Sequence, residues 1–245
     1  MSETRLVRAV ILAGGKGTRL HPYTIALPKP LMPVGDMPIL EIIIRQLKQA
    51  GVDDLTLSVG HLHALLRAYF ADGERWGVHI DYSLETEPLG TAGPIALVDR
   101  LDETFLALNG DLLCSLDYRD LIQQHRASGA IATIASYPKE VKIQLGVLET
   151  NGNSLVDYVE KPVMNYRVSM GIYALEPKVR EFISKGQPLD LPDLIKRLMA
   201  AGETVNLYNF EGYWRDIGTM EEYSIAGEEF ETIRPSLGLG EPDRT

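Results

Sequence analysis

Three glycines in the four positions from Gly14 to Gly17 leave backbone N–H groups unshielded by Cβ atoms. The segment Leu12-Ala13-Gly14-Gly15-Lys16-Gly17-Thr18-Arg19-Leu20 can therefore press its donors against anionic oxygens. Arg19, and Lys29 within Pro28-Lys29-Pro30-Leu31, bring fixed positive charge to the same stretch. The chemistry such a set suits is the wrapping of a nucleoside triphosphate. Two better-known glycine loops are excluded by spacing. A P-loop needs Lys and then Ser or Thr after its last glycine, whereas Gly17 is followed by Thr18 and Arg19. A dinucleotide fingerprint counted from Gly15 and Gly17 needs a third glycine where Leu20 stands.

Four further constellations fall at strand ends or in loops. Glu85-Thr86-Glu87-Pro88-Leu89-Gly90-Thr91-Ala92-Gly93 has the proline and glycines that allow close approach to a flat ligand, or that make a plain turn. Asn109-Gly110-Asp111 follows an apolar run, which puts the Asp111 carboxylate where a Mg²⁺ ion can sit or where it caps the next helix. In Val159-Glu160-Lys161-Pro162 an acid and a base point to opposite faces if the strand stays extended. In Tyr213-Trp214-Arg215-Asp216-Ile217-Gly218-Thr219, Asp216 is a second metal carboxylate or an ordinary loop acid.

The elements that must position these residues alternate in kind. Residues 7–12, 55–59, 79–83 and 104–108 read as strands; 39–50, 64–70, 92–98 and 118–126 read as helices, with Ile43, Leu47 and Ala50 on one face of the first. This predicts an α/β fold with a doubly wound sheet, whose ligands sit beyond the carboxyl ends of the strands. From Ala130 the texture changes to strands at 131–137, 145–149, 155–159 and 169–175, with Asn151-Gly152 as a hairpin turn, so the sheet is expected to be mixed. Helices at 178–183 and 192–201, a strand at 205–209 and a last helix from 220 to about 231 complete one domain over 1–233. Its nucleotide-binding part is expected at about 1–129 and a second part at about 130–233, with 234–245 as a loose tail.

The chain has 245 residues, with 34 acidic against 24 basic and a net charge of −10, which opposes non-specific association with nucleic acid or an anionic membrane. A phosphate ligand must then be held by local positive groups and a metal. The single cysteine, Cys114, cannot form an internal disulfide and is expected to be inert packing; strand-like sequence comes at once, without a charged-then-apolar stretch before it, and a cytoplasmic location is expected. The five histidines make no metal-ligand spacing with cysteine and are expected at the surface or in packing.

In this order the motifs resemble the sugar-1-phosphate nucleotidyltransferases, from about Val7 to about Tyr223, and most of all the short guanylyltransferases of mannose-like and heptose-like 1-phosphates. The resemblance implies a Rossmann-like mixed sheet of the nucleotide-diphospho-sugar transferase type, without the carboxyl-terminal β-helix that some members append. It implies nucleotide contacts from Leu12, Ala13, Gly14, Gly15, Gly17, Thr18, Glu85, Pro88, Gly90, Thr91, Asn109 and Gly110. Arg19 is expected on the outgoing pyrophosphate, Lys29 beside the α-phosphate, and Asp111 with Asp216 around Mg²⁺. Lys161 resembles the sugar-phosphate lysine, Glu160 a partner of sugar hydroxyls, and Gly146 a place where the sheet lies close beneath the sugar ring. Ser169, Gly171 and Trp214 complete the implied sugar side. Self-association into a homodimer is expected, since family members commonly do so.

Such a reaction needs no side-chain base, because a phosphate oxygen is already a competent nucleophile at neutral pH; positioning and charge neutralisation supply the acceleration. Glu85 favours GTP, since guanine offers two donors that a carboxylate accepts, whereas relatives using thymidine or uridine triphosphate tend to carry Gln there. UTP, CTP or dTTP is the alternative donor. Ser169-Met170-Gly171 stands where Asn-Ala-Gly is usual, and Arg215 stands where a small or apolar residue is usual, which opens the acceptor to a heptose, a modified hexose or a cyclitol 1-phosphate. A catalytically silent nucleotide-sugar sensor is the competing class; Arg19, Lys29, Asp111, Lys161 and Asp216 together argue against it.

Overall fold

The computed structural model describes residues 7–240. The chain runs β1 (Arg8–Ala13), a small hairpin of β2 (Pro33–Val34) and β3 (Met37–Pro38), α1 (Ile39–Gln49), β4 (Asp54–Val59), α2 (His63–Phe70), β5 (His79–Leu84), β6 (Phe105–Asn109), β7 (Leu112–Cys114) and α3 (Tyr118–Ser128). It continues with β8 (Ala132–Lys142), β9 (Val147–Asn151), β10 (Ser154–Val159), β11 (Val163–Leu175), α4 (Leu191–Ala200), β12 (Val205–Asn209), β13 (Trp214–Asp216) and α5 (Met220–Ile233). Seven strands form the central sheet in the order β12-β8-β11-β6-β1-β4-β5. All pairings are parallel except those of β11 with β6 and β8, so β11 alone runs against the others. The expected mixed, doubly wound α/β fold is present.

Strand alternation divides the core between the two faces of this sheet. In β1, Ala9 and Ile11 join one buried cluster while Val10 joins the other; in β6, Leu106 and Leu108 part from Phe105 and Ala107 in the same way. Helices α1, α2, α3 and α5 cover the first face, and α4 covers the second with Leu191, Leu194, Ile195 and Leu198. Burial on both faces explains why β1, β4 and β6 read as continuous apolar runs.

The observed elements differ from the expected ones where local sequence is a weak guide. The expected helices at 92–98 and 178–183 are 3-10 stretches, Gly93–Leu97 and Pro177–Phe182, each with a proline in its first turn. β8 and β11 extend well past their buried parts, because five paired positions, 138–142 against 163–167, satisfy the backbone of an exposed ribbon there. The Asn151-Gly152 turn does join β9 to β10, with Gly152 at φ +59.

The expected loose tail is a correction over its described part. Arg234–Leu237 forms a 3-10 turn, Leu237 is buried, and the Arg234 guanidinium grips both carboxylate oxygens of Asp36 at 2.8 and 3.0 Å. A bidentate pair of that kind docks the segment on the 35–36 turn. Residues 241–245 lie outside the described residues.

Candidate active site

Strands β1, β4 and β6 end side by side at Ala13, Val59 and Asn109, with Leu12 in register with Asn109. The loops that leave them therefore meet at one rim. Gly110 N–H donates to the Leu12 carbonyl at 2.9 Å, and a Cβ on Gly110 would come within 3.1 Å of that oxygen, so glycine lets β6 turn directly under the glycine loop. Gly17 is at φ +60, where a Cβ would lie 3.0 Å from Thr24 Cγ2; its carbonyl accepts from Thr24 Oγ1 at 2.8 Å. Gly15 is exposed, with nothing within 4 Å of where a Cβ would stand.

Lys29 is nearly buried in a 3-10 turn, where its ammonium forms an ion pair with Asp111 Oδ2. The other carboxylate oxygen, Asp111 Oδ1, is buried without a hydrogen-bond partner. Asp216 arrives from a distant part of the chain because β13 pairs antiparallel with β7, setting Asp216 opposite Leu112, while Ile217 N–H donates to the Asp111 carbonyl at 3.1 Å. Arg19 closes the group: both its terminal guanidinium nitrogens and Asp216 Oδ1 lie 3.5 Å from the point a Cβ on Gly218 would occupy. Asp216 opens to the cleft, yet protein crowding around its carboxyl removes water and, with the negative charge of Asp111, raises its pKa; Lys29 and Arg19 oppose that rise. Two acids and two bases from four separate segments thus share one small volume.

Beside them opens a cavity of about 360 Å³ lined by Asp216, Asn109, Thr91, Ser169, Gly171 and Trp214 together with Tyr173, Asp190 and Leu191. The middle of β11 faces it through an irregularity, since register with β8 jumps between Ser169 and Tyr173. Gly171 takes φ +75 there, with Asn109 Nδ2 2.6 Å from where a Cβ would be. Ser169 Oγ lies 3.0 Å from the Tyr173 hydroxyl and accepts from Gly171 N–H at 3.3 Å, so it braces the bulge. Trp214 walls the cavity, with its indole N–H on the Met170 carbonyl at 3.2 Å and its ring 5.3 Å from that of Tyr137.

Glu85 is half-buried between the end of β4 and the 86–91 turn. Its Oε1 accepts from Ser58 Oγ at 3.0 Å and its Oε2 from Leu89 N–H at 3.2 Å. Gly14 has no room for a Cβ, which would lie 2.6 Å from Glu85 Oε1. Pro88 is exposed, Gly90 takes φ +74, and the turn is clamped to the start of α4 by Thr91, whose N–H and hydroxyl both reach Asp190 Oδ1 at 3.0 and 3.2 Å. Asp190 gave no signal in the sequence because its partner lies 99 positions away.

Three residues stand elsewhere. Gly146, Glu160 and Lys161 belong to the arm formed by the outer parts of β8 to β11 and do not line the cavity. Gly146 lies under Tyr158, whose hydroxyl would be 2.2 Å from a Cβ, and that hydroxyl donates to Glu160 Oε2 at 3.3 Å. Lys161, at φ +47, is exposed with its ammonium 3.8 Å from Glu160 Oε1. Arg215 turns away from Asp216 to Glu229 at 3.0 Å, Tyr213 at 3.2 Å and Glu222, which pins β13 to α5. Another set of possible metal ligands, Asp54, His79 and Asp81, lies at the amino-terminal edge of the sheet. There Arg8 pairs with Asp54 and Arg100 with Asp81 at 2.6 Å, so its carboxylates are already balanced. Cys114 is buried beside Tyr118, and burial pushes its thiol pKa up, in keeping with inert packing.

A family model described as nucleotidyl transferase matches residues 8–232. The chain belongs to that family. Over 238 residues it is 36% identical to a UTP–glucose-1-phosphate uridylyltransferase of Synechocystis, and over 226 residues 36% identical to a mannose-1-phosphate guanyltransferase of Yarrowia lipolytica; each covers 89% of the chain. The chain spans 61% and 62% of those relatives' own lengths. Among solved structures it is similar to HddC from Yersinia pseudotuberculosis, with a TM-score of 0.71 at 26% identity, covering 92% of this chain and all of that one. The fold is also that of a putative glucose-1-phosphate thymidylyltransferase from Bacillus anthracis, with a TM-score of 0.73 at 24% identity, over 91% of this chain and 94% of that one.

Proposed function

We propose that this nucleotidyl transferase moves a nucleoside monophosphate, GMP from GTP, onto a sugar 1-phosphate. A phosphate oxygen of the sugar phosphate attacks the α-phosphorus, the bond to the β-phosphate oxygen breaks, and pyrophosphate leaves. The observation that carries this reading is the meeting of Arg19, Lys29, Asp111 and Asp216 at one rim, between the glycine loop and the adjoining cavity. Two polyanions repel each other, and offsetting that repulsion while holding the attack in line is what the reaction requires. Arg19 and Lys29 supply fixed positive charge, the glycine loop supplies N–H donors to the triphosphate, and the cavity takes the sugar.

The donor set fits a divalent cation such as Mg²⁺. It is all oxygen, it combines two carboxylates, and one buried oxygen, Asp111 Oδ1, has no protein partner. Asp111 and Asp216 would hold the ion, which when bound neutralises phosphate charge. Asn109 and Thr91 stand on the cavity wall.

Glu85 supports guanine as the base, because each carboxylate oxygen keeps a lone pair after accepting from Ser58 or Leu89. Relatives named for guanyl transfer to mannose 1-phosphate support the same choice. A uridylyl donor with a glucose-type acceptor is the second reading, favoured by the equal identity to the Synechocystis relative. Pyrophosphate release measured with each nucleoside triphosphate against a panel of sugar 1-phosphates tests both. Turnover with GTP above the others supports the first reading, and release with no pair of substrates refutes the reaction class.

A further inference from the structure

β13 is three residues long and forms a two-stranded sheet with the three residues of β7. A two-stranded ladder of this length has little stability of its own. This one also works against charge. It brings Asp216 to where the negative charge of Asp111 acts on it, and like carboxylates repel. Holding Asp216 in place therefore takes an anchor outside the ladder.

Arg215 supplies it from the other face of the strand. Successive side chains of a strand point to opposite sides, so while Asp216 lines the cavity its neighbour meets α5. The Arg215 guanidinium pairs with Glu222 and with both carboxylate oxygens of Glu229 at 3.0 and 3.2 Å, and its Nε donates to the Tyr213 hydroxyl at 3.2 Å. That hydroxyl in turn donates to Glu229 Oε2 at 3.0 Å. Glu222 and Glu229 stand two helical turns apart on one face of α5, and a single planar fork of donors spans both. The side chain is only 19% exposed, so little water competes for these contacts. The same helix grips the segment that follows Lys29. Tyr223 donates its hydroxyl to the Pro33 carbonyl at 2.7 Å, and Phe230 packs so closely on Gly35 that a Cβ there would lie 2.1 Å from its ring. One helix is thus the common frame for Asp216 and for the loop of Lys29.

We propose that Arg215 is a positioning residue for Asp216: by tying β13 to α5 it keeps that carboxylate beside Asp111 against their mutual repulsion. The inference rests on the proposed holding of a divalent cation by Asp111 and Asp216. Arg215 touches neither the ion nor a substrate in this role, and its loss reaches the site only through the position of Asp216.

Mn²⁺ is the probe. Electron paramagnetic resonance of free Mn²⁺, titrated with the full chain in the absence of nucleotide, gives a dissociation constant that does not depend on turnover. Arg215→Met should raise that constant about tenfold or more, the scale expected when a group that orients a metal ligand is lost. Arg215→Lys keeps the charge without the fork, and should fall between Arg215→Met and the wild type. Arg8→Met is the matched control, because Arg8 is also a nearly buried guanidinium between two acids, Asp54 and Asp81, but at the amino-terminal edge of the sheet. It should lower Tm while leaving Mn²⁺ affinity unchanged. If Arg215→Met fails to fold, Glu229→Gln should weaken Mn²⁺ binding in the same direction by a smaller factor. A folded Arg215→Met or Glu229→Gln with wild-type affinity, an Arg8→Met that weakens binding as much, or a wild type that holds no Mn²⁺ overturns the inference. Absence of pyrophosphate release from the wild type with every substrate pair would instead refute the reaction and leave the Mn²⁺ comparison standing.

Discussion

Neutralising Asp111 as Asn tests whether the acid and base at the rim form one electrostatic unit. The Lys29 side chain is 10% exposed and that of Asp111 25%, so the pair lies largely out of water. Removing one partner of a buried pair costs about 3–5 kcal/mol, because the other charge stays buried without compensation. The nearby Asp216 carboxylate and the partial exposure of Asp111 reduce this to about 2–3 kcal/mol. At about 2–4 °C per kcal/mol for a chain of this size, Asp111→Asn should lower Tm by about 4–12 °C. Lys29→Met should also destabilise, since it leaves Asp111 and Asp216 with Arg19 as the nearest compensating charge. The double variant should be more stable than the sum of the two losses by about 1–3 kcal/mol, the coupling expected of groups in contact. Urea unfolding at neutral pH in the presence of a chelator measures this cycle without interference from a bound ion. Strict additivity would show that the two side chains are independent, and would refute the picture of a shared site. Pyrophosphate release by Asp111→Asn should fall by at least about 10²–10³. Activity close to the wild type would remove Asp111 from the proposed reaction even if the coupling is found.

Replacing Glu85 with Gln keeps a partner for Ser58 but puts an amide against the base; the ratio of kcat/KM for GTP over UTP should fall by about tenfold or more, and an unchanged ratio would detach Glu85 from base choice. Gly171→Ala forces a Cβ to 2.6 Å from Asn109 Nδ2 at φ +75, so KM for the sugar phosphate should rise about tenfold while that for the triphosphate holds; equal rises in both would place the strain in the fold as a whole. His125 is buried against Thr133 at 2.8 Å and Glu176 at 3.0 Å, and burial lowers its pKa despite the Glu176 contact. The unfolded chain then takes up the proton first, so stability should fall as pH drops below about 6.5 and through the lower folded value. The urea midpoint should show this slope in the wild type and lose it in His125→Gln; identical slopes would clear His125 of the effect.

The glycine loop and Asp111 were legible in the sequence because each follows an apolar run that marks a buried strand, and Lys29 because it stands between two prolines. Their grouping follows from the parallel order of β1, β4 and β6, which alternating strands and helices already imply. The bridge between β7 and β13 was not legible, since three residues on each side carry no periodicity and their partners lie about a hundred positions apart. Arg215 read as a guanidinium near the metal site or near solvent; its alternation on β13 turns it to Glu222 and Glu229 of α5 instead. The outer parts of β8 and β11 escaped for the opposite reason: with no face packed on the body, their sequence shows no inward pattern. Ser169 was legible as a departure from the usual motif, but its engagement with Tyr173 depends on a bulge that register alone reveals.

The link between β7 and β13 has a topological consequence. Ser115 N–H donates to the Tyr213 carbonyl at 2.9 Å, and Tyr213 N–H donates to Ser115 Oγ at 3.0 Å, so the chain leaves and returns through one doubly tied gate. The intervening 116–212, which includes the bulged strand and the start of α4 on the cavity wall, behaves as a cassette clipped at its neck. Provided a transplanted cassette supplies a strand to lie beside β6, its contents can be exchanged while Asp111 and Asp216 keep their spacing. On the proposed reaction, exchange within 116–212 alters the acceptor side, provided that the position of Asp190 keeps its hold on Thr91.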